Sequence, residues 1–242
     1  MFASIKMNLV IICQDDLAVD GIAVIRDPRR VLHVLGVLRA LPGDKIKVGL
    51  LNGRIGTGEI LSSSRDKVEL HIEFTSDPPP ALPVTLVFAL PRPKTFRKIL
   101  LSATAMGVKK FIAIESWKVD KSYWDSPALS EEETREQFIL GLEHGGDTAL
   151  PKITFKRRFK PFVEDELPGI IKDQLPLLAH PGAVRDCPRN VAGPLVLCVG
   201  PEGGFTEYEV ELLEKCGMQP VSIGARILRT EYAVCVILGR LF

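Results

Sequence analysis

Residues 195–204, LVLCVGPEGG, decide the fold class of this chain, because an apolar run leads there into a glycine-rich turn. The next residues, FTEYE at 205–209, predict the start of a helix, since Thr206 and Glu209 have the spacing of a capping box. A buried strand, a turn and a helix in this order are the repeating unit of α/β proteins. Ligands bind at the carboxyl ends of strands in open sheets of that class, so the turn is a candidate binding site.

The composition of the turn restricts the ligand. Gly200, Gly203 and Gly204 permit positive φ and let a ligand approach the backbone closely. The glycine spacing is not that of a dinucleotide fingerprint, and the Gly-Lys-Ser/Thr of a P-loop is missing. Glu202 would repel a phosphate, which favours a ligand with positive charge or neutral hydrogen-bond donors. A tight strand–helix turn that binds nothing is the alternative at this stage.

A second segment, IGARILRTEYA at 223–233, also follows a predicted strand and precedes a helix. It carries Arg226 and Arg229 beside Glu231, and arginines in such a loop suit phosphate or a nucleic-acid backbone. Alternatively, Arg229 and Glu231 form an internal ion pair that fixes the loop. Thr230 is the predicted N-cap of the last helix.

Outward from these segments, the chain from residue 84 onward alternates apolar runs with amphipathic stretches, which predicts an α/β domain with a parallel sheet. The predicted strands are 84–89, 111–115, 175–179, 195–199 and 220–223. The predicted helices are 94–106, 130–143, 162–172, 207–215 and 231–241.

The first part of the chain has a different pattern, with short strands predicted at 8–13, 45–51, 58–62 and 67–74. Glycine-rich turns between them indicate a small β-barrel, with one helix at 27–38 that Asp27 caps. Three consecutive prolines within 76–81 indicate a stiff linker. The sequence thus predicts one domain over residues 1–76 and a second over 82–242.

Composition excludes several classes of protein. The 242 residues include 31 Lys+Arg and 30 Asp+Glu, and a net charge of +1 argues against a protein that coats nucleic acid through bulk charge. Five cysteines without a CxxC pair indicate reduced thiols in a cytoplasmic protein, and four scattered histidines give no support for a metal site. No apolar run reaches the roughly 18 residues of a membrane span, and we interpret residues 1–13 as a strand rather than a signal peptide.

The two C-terminal segments resemble the paired signatures GPEGG and LG-x-R-x-LRTE of the SPOUT-class methyltransferases that modify a uridine at N3 in 16S ribosomal RNA, the RsmE family. HVLGVLR at 33–39 and PGD at 42–44 are similar to that family's PUA-like barrel segment. The resemblance implies a C-terminal SPOUT α/β domain with a deep trefoil knot, preceded by a small PUA-like β-barrel that binds RNA. It further implies a cytoplasmic homodimer, with S-adenosyl-L-methionine as cofactor and 16S rRNA or the small ribosomal subunit as partner.

The resemblance also implies roles for individual residues. The cofactor would contact the ends of three strands, at Leu178, His180, Leu197, Gly200, Glu202, Gly203, Ile223, Gly224, Ile227 and Leu228. Arg226 and Arg229 would stabilise the uracil anion or hold flanking phosphates, and Glu231 would orient an arginine or take the N3 proton. The candidate RNA contacts are Arg29, Arg30, Arg39, Lys118 and Lys121, the last two interleaved with Trp117, Tyr123 and Trp124.

One departure from the family pattern keeps a second hypothesis open. Residues 143–147, EHGGD, lack the arginine that the family commonly carries before a Leu-Pro or Val-Pro step. A non-catalytic RNA-binding or assembly factor on the same scaffold is therefore the alternative. A nicotinamide-dependent oxidoreductase has only glycine-rich loops in its favour, and it lacks the acid that would bind the ribose.

Overall fold

The computed structural model describes residues 9–242, so Met1–Asn8, with the first residue of the predicted opening strand, lie outside the described residues. The chain forms two compact units. The first contains the residues up to Pro80 together with Ile139–Leu150, and the second contains Ala81–Phe138 with Pro151–Phe242. The sequence-based division assigned 139–150 to the second domain, whereas this segment groups with the first unit.

The first unit contains a five-stranded sheet in the order β1-β3-β4-β5-β2, in which only the pair β1–β3 is parallel. Its strands are β1 (Val10–Ile12), β2 (Ile22–Ile25), β3 (Lys45–Leu50), β4 (Ile55–Ser63) and β5 (Val68–Ser76). The sequence did not predict β2, which pairs with β5. A turn directly before β2 contains Asp20 and Gly21, both with positive φ.

The helix predicted over 27–38 is split into α1 (Pro28–Leu32) and a π-helical turn at His33–Val37. Asp27 caps it as predicted, because its carboxylate accepts a hydrogen bond from Arg30 N at 2.8 Å.

Residues 139–150 complete the first unit. Leu9 N donates to the carbonyl of Glu143 at 3.1 Å, and Asn52 N donates to the carbonyl of Thr148 at 2.8 Å. Leu142 is fully buried in a cluster with Leu9 and with residues of β1 and β4. These bonds join segments far apart in sequence, which explains why a local pattern did not assign 139–150 to this unit.

The second unit contains a parallel six-stranded sheet in the order β11-β9-β10-β6-β7-β8. Its strands are β6 (Val84–Ala89), β7 (Lys110–Ile114), β8 (Lys152–Lys156), β9 (Leu175–Ala179), β10 (Leu195–Val199) and β11 (Gln219–Val221). The central strands β6 and β10 are buried at every position, as continuous apolar runs predict. The sequence missed β8, because this edge strand interleaves lysines with apolar residues and is only half-buried.

The remaining helices are α2 (Pro93–Ala105), α3 (Glu131–Gly145), α4 (Phe159–Pro161), α5 (Leu167–Ile171), α6 (Glu207–Lys215) and α7 (Thr230–Leu241). Thr230 is not the N-cap predicted from the sequence: it is the first residue of α7, and Arg229 occupies the cap position. The predicted helix over 162–172 begins as a π-helical turn at Phe162–Glu166 and continues as α5. Within residues 9–242, no helix is long and apolar enough to cross a membrane.

Candidate active site

A cleft of about 150 Å³ lies where three neighbouring parallel strands, β9, β10 and β11, end in the second unit. The carboxyl ends of parallel strands meet at one edge of the sheet, so the loops that follow them converge. The lining residues come from 179–181, 199–205, 221–228 and the first turns of α7. Both segments that the sequence singled out therefore contribute to one site.

The glycines of the cleft fit its backbone conformation and leave space beside the backbone. A Cβ on Gly200 would lie 3.2 Å from Phe205 N, so a side chain there would require Phe205 to shift by a few tenths of an ångström. Gly204 and Gly224 have φ values of +68° and +133°, and a Cβ on either would meet no atom within 4 Å. The positive φ favours glycine at both positions, and the space beside the backbone is open to a ligand.

The start of α6 is fixed as the capping box predicts. Thr206 N donates to Glu209 Oε2 at 2.8 Å, and Glu209 N donates to Thr206 Oγ1 at 3.3 Å. Glu209 is buried, and its other carboxylate oxygen accepts a hydrogen bond from Trp117 N at 2.7 Å. One carboxylate thus ties the glycine-rich turn to the loop after β7.

Of the three predicted catalytic residues, the cleft contains one. Arg226 lines it, whereas Arg229 is exposed at the start of α7 and is not among the lining residues. Glu231 is buried and forms an ion pair with Lys98 of α2 at 3.3 Å, so it neither faces the cleft nor pairs with Arg229. The prediction that Glu231 takes a proton from the substrate does not fit this position.

Seven of the ten predicted cofactor contacts line the cleft, namely His180, Gly200, Glu202, Ile223, Gly224, Ile227 and Leu228. Leu178 and Leu197 do not line the cleft, and both are fully buried within their strands. Gly203 is not among the lining residues either, and Lys118 packs against it. The sequence missed Ala233 and Ile237, whose spacing of four on α7 puts them on one helix face toward the cleft.

The chemistry of the cleft fits the proposed cofactor. Ile223, Leu228 and Ile237 supply apolar surface for a planar ring, and Glu202 supplies the acid that attracts a sulfonium cation. Arg92 N donates to Glu202 Oε1 at 3.1 Å, which places that acid beside the start of α2. Ile227, which lines the cleft, is 81% exposed, so the cleft is open to solvent on this side.

Of the three predicted RNA contacts in the first unit, one arginine is buried and two reach the surface. Arg30 is buried; it donates to Asp16 Oδ2 at 2.5 Å and to the carbonyl of Ile11 at 2.9 Å, which corrects its assignment as an RNA contact. Burial alone would lower the pKa of Arg30, but the hydrogen bond and charge of Asp16 raise it overall. Arg29 is half-buried and paired with Glu143 at 2.6 Å, and Arg39 is exposed with φ +49°.

In the second unit, Lys118 and Lys121 are exposed, and Lys118 Nζ donates to the carbonyl of Gly203 at 2.8 Å. Trp117 is 85% exposed and available for stacking. Trp124 is buried beneath the guanidinium of Arg157, 5.4 Å from its ring centre, so it does not belong to an RNA surface. Among the described residues, His, Cys, Asp and Glu side chains form no cluster of three or more that fits a metal ion.

Known proteins similar to this chain agree over most of its length. The family model of the RNA methyltransferase domain matches residues 78–241. Ribosomal RNA small subunit methyltransferase E of Treponema pallidum is 30% identical over 236 residues, covering 95% of this chain and 88% of the relative. The Borreliella burgdorferi protein named ribosomal RNA small subunit methyltransferase E 1 is 25% identical and covers 94% of each chain.

Solved structures share the fold. A ribosomal RNA small subunit methyltransferase E from Neisseria gonorrhoeae, bound to S-adenosyl methionine, gives a TM-score of 0.71 at 20% identity and covers 96% of this chain and 95% of that one. A putative methyltransferase from Legionella pneumophila in complex with the same cofactor gives 0.72 at 22% identity and covers 96% of each chain. At these identities the likeness establishes the architecture alone.

Proposed function

Since this chain belongs to the RNA methyltransferase family that includes ribosomal RNA small subunit methyltransferase E, we propose that it transfers a methyl group from S-adenosyl-L-methionine to N3 of one uridine in 16S ribosomal RNA. The observation that carries the proposal is the cleft at the ends of β9, β10 and β11, where a glycine-rich turn, an acid and Arg226 converge. The names of the relatives and the cofactor bound by the structural neighbours support it.

The chemistry requires an activated uracil, because N3 carries a proton and is a poor nucleophile until that proton leaves. S-adenosylmethionine supplies an electrophilic methyl group. The positive charge of Arg226 in the cleft favours the uracil anion and lowers the pKa of N3, so that N3 releases its proton to solvent before it attacks the methyl group. Holding the two reactants in one cleft supplies much of the remaining rate enhancement.

The proposal includes the finer features that the resemblance implies. In this proposal the second unit is a SPOUT domain with a trefoil knot, the first unit is a PUA-like barrel that binds RNA, and the protein acts as a homodimer. We further propose that the protein acts in the cytoplasm, where thiols stay reduced.

The test is methyl transfer from labelled S-adenosylmethionine to 16S rRNA, or to small subunits, that lack the modification. We expect one labelled nucleotide, released by nuclease digestion as 3-methyluridine. Absence of transfer together with absence of cofactor binding in calorimetry would overturn the proposal. Label at another atom of uracil would support the methyltransferase activity and correct the proposed position of the methyl group.

The second candidate function is a non-catalytic RNA-binding or assembly factor. The ion pair of Glu231 with Lys98 favours it, because that pair removes one predicted catalytic group from the cleft. Cofactor binding and tight RNA association without turnover would identify this function.

A further inference from the structure

A second cavity, of about 620 Å³, lies in the second unit beside the start of α6 and is not part of the proposed methyl-transfer cleft. We propose that it binds one nucleobase of the RNA substrate, next to the uridine that accepts the methyl group. This inference rests on the proposed function for its substrate class, and it deepens that function by adding a specificity site. The volume is typical of a small-molecule site.

Aromatic side chains form much of the cavity wall. Trp117, Phe159 and Tyr208 line it, and Trp117 and Tyr208 are 85% and 57% exposed. Exposed aromatic side chains beside an open cavity provide stacking surfaces for an unpaired base. The wall therefore suits a flat, largely apolar group.

The cavity also contains an unsatisfied polar atom. Ser116 is only 3% exposed, and its Oγ has no hydrogen-bond partner in the structure. Buried polar atoms are nearly always paired, so this unpaired hydroxyl at the cavity is available to hydrogen-bond a ligand. The carboxylate of Glu115 lines the same cavity and accepts hydrogen bonds, which suits a base that carries an exocyclic amino group. Glu209 does not compete for this role, because Trp117 N and Thr206 already donate to its oxygens.

Two lysines at the cavity supply the charge that a nucleotide requires. Lys121 and Lys160 line the cavity, and both are exposed. Lys160 lies 3.6 Å from Glu164 one helical turn away, and an exposed pair of this kind holds its lysine only weakly. Both lysines are therefore available to a phosphate of the RNA backbone.

The cavity is separated from the methyl-transfer cleft by two packed rings. Phe159 lines the cavity, Phe205 lines the cleft, and their ring centres lie 6.0 Å apart. The two spaces therefore share a wall, so a base in the cavity would lie close to the cleft that we propose for the methyl-accepting uridine. Glu209 joins the two sites through its bonds to Trp117 and Thr206.

The first experiment uses the whole protein and cytidine 5′-monophosphate, with ribose 5-phosphate as the control that lacks a base. We expect the nucleotide to quench tryptophan fluorescence and ribose 5-phosphate to have no effect. The W117F variant loses the signal, since the other tryptophan, Trp124, is buried. S116A binds the nucleotide at least threefold more weakly in a calorimetric titration. Equal responses to the two probes, or unchanged affinity in S116A, would overturn the inference.

The second experiment measures methylation kinetics. We expect W117A and K160Q to raise KM for RNA severalfold while the affinity for S-adenosylmethionine stays unchanged. The matched control is K215Q, because Lys215 pairs with Glu211 at 3.7 Å with the same four-residue spacing, in the opposite order, and does not line the cavity. An equal effect in K215Q would contradict a specific site. If the wild-type protein transfers no methyl group, the proposed function fails, and the nucleotide titration still decides whether the cavity binds a base.

Discussion

At the scale of single residues, the two arginines of the loop before α7 are distinguished by position. Arg226 lines the cleft, whereas Arg229 occupies the N-cap position of α7 and is exposed. We expect Arg226→Ala to lower kcat at least tenfold, because the cleft loses the positive charge that favours the uracil anion, with little change in cofactor affinity. Arg229→Ala lowers turnover less, through weaker contact with flanking phosphates, and still affects turnover more than cofactor affinity. Equal losses of turnover and cofactor affinity in both variants would indicate a structural role for the loop.

The buried pair of Arg30 and Asp16 is a structural feature, and its removal tests that assignment. We expect Arg30→Ala to lower the free energy of unfolding by about 3–5 kcal/mol, because it leaves the carboxylate of Asp16 buried and unpaired. Urea denaturation followed by circular dichroism measures the change. The control is Arg54→Ala, whose exposed pair with Asp77 is worth at most about 1 kcal/mol. Similar losses in the two variants would contradict the assignment.

Buried thiols make the stability depend on alkaline pH. Burial, and secondarily the charge of Glu209, raises the pKa of Cys198 above its ordinary value near 9.0. Above pH 9 the unfolded chain loses this proton while the folded chain keeps it, so the free energy of unfolding falls as the pH rises. The slope for one such thiol is up to about 1.4 kcal/mol per pH unit.

Urea denaturation between pH 8 and 10 measures this decline. Cys198→Ala is less stable at pH 8, because it leaves a small cavity, but its stability declines less steeply with pH. Parallel declines in the two proteins would show that Cys198 does not contribute.

At the scale of elements, Glu209 connects the turn before α6 with the loop after β7. We expect Glu209→Gln to lower the free energy of unfolding by about 1–3 kcal/mol. Both carboxylate oxygens of Glu209 accept hydrogen bonds from backbone N–H groups, and in glutamine an NH2 donor replaces one of these acceptors. Glu207→Gln in the same helical turn is the control, since Glu207 is exposed and contributes at most about 1 kcal/mol through the helix dipole. A smaller loss in Glu209→Gln than in the control would contradict this role.

Elements with local signals were predicted well. Apolar runs predicted β6 and β10, and the Thr206–Glu209 spacing predicted the start of α6. β2 and β8 were missed because they are short or mixed in character, and their pairing partners rather than their own sequences define them. In the site, the loops that carry the cleft were found from local patterns. The ion pair of Glu231 was not predicted, because its partner Lys98 lies 133 residues away in the sequence.

At the scale of the whole molecule, the first unit depends on a segment that the chain supplies late. Leu142 is fully buried in the first unit, so we expect Leu142→Ala to cost about 2–5 kcal/mol. Tryptophan fluorescence would not report on the first unit, because both tryptophans, Trp117 and Trp124, belong to the second unit. Hydrogen exchange measured by mass spectrometry follows the first unit directly. Faster exchange in β1 and β3 is expected, whereas the control Leu61→Ala, at a half-exposed position of β4, leaves exchange nearly unchanged. Unchanged exchange in Leu142→Ala would contradict the dependence.

The late position of residues 139–150 has a consequence for the growing chain on the ribosome. The segment is synthesised about 60 residues after Pro80, which takes about 3–12 s at synthesis rates of about 5–20 residues per second. During that interval Leu9, Ile11 and Ile55 have been made but lack the cover of Leu142. The nascent first unit therefore exposes an apolar surface for seconds. This interval is long enough for a chaperone to bind the surface before residues 139–150 are made and cover it.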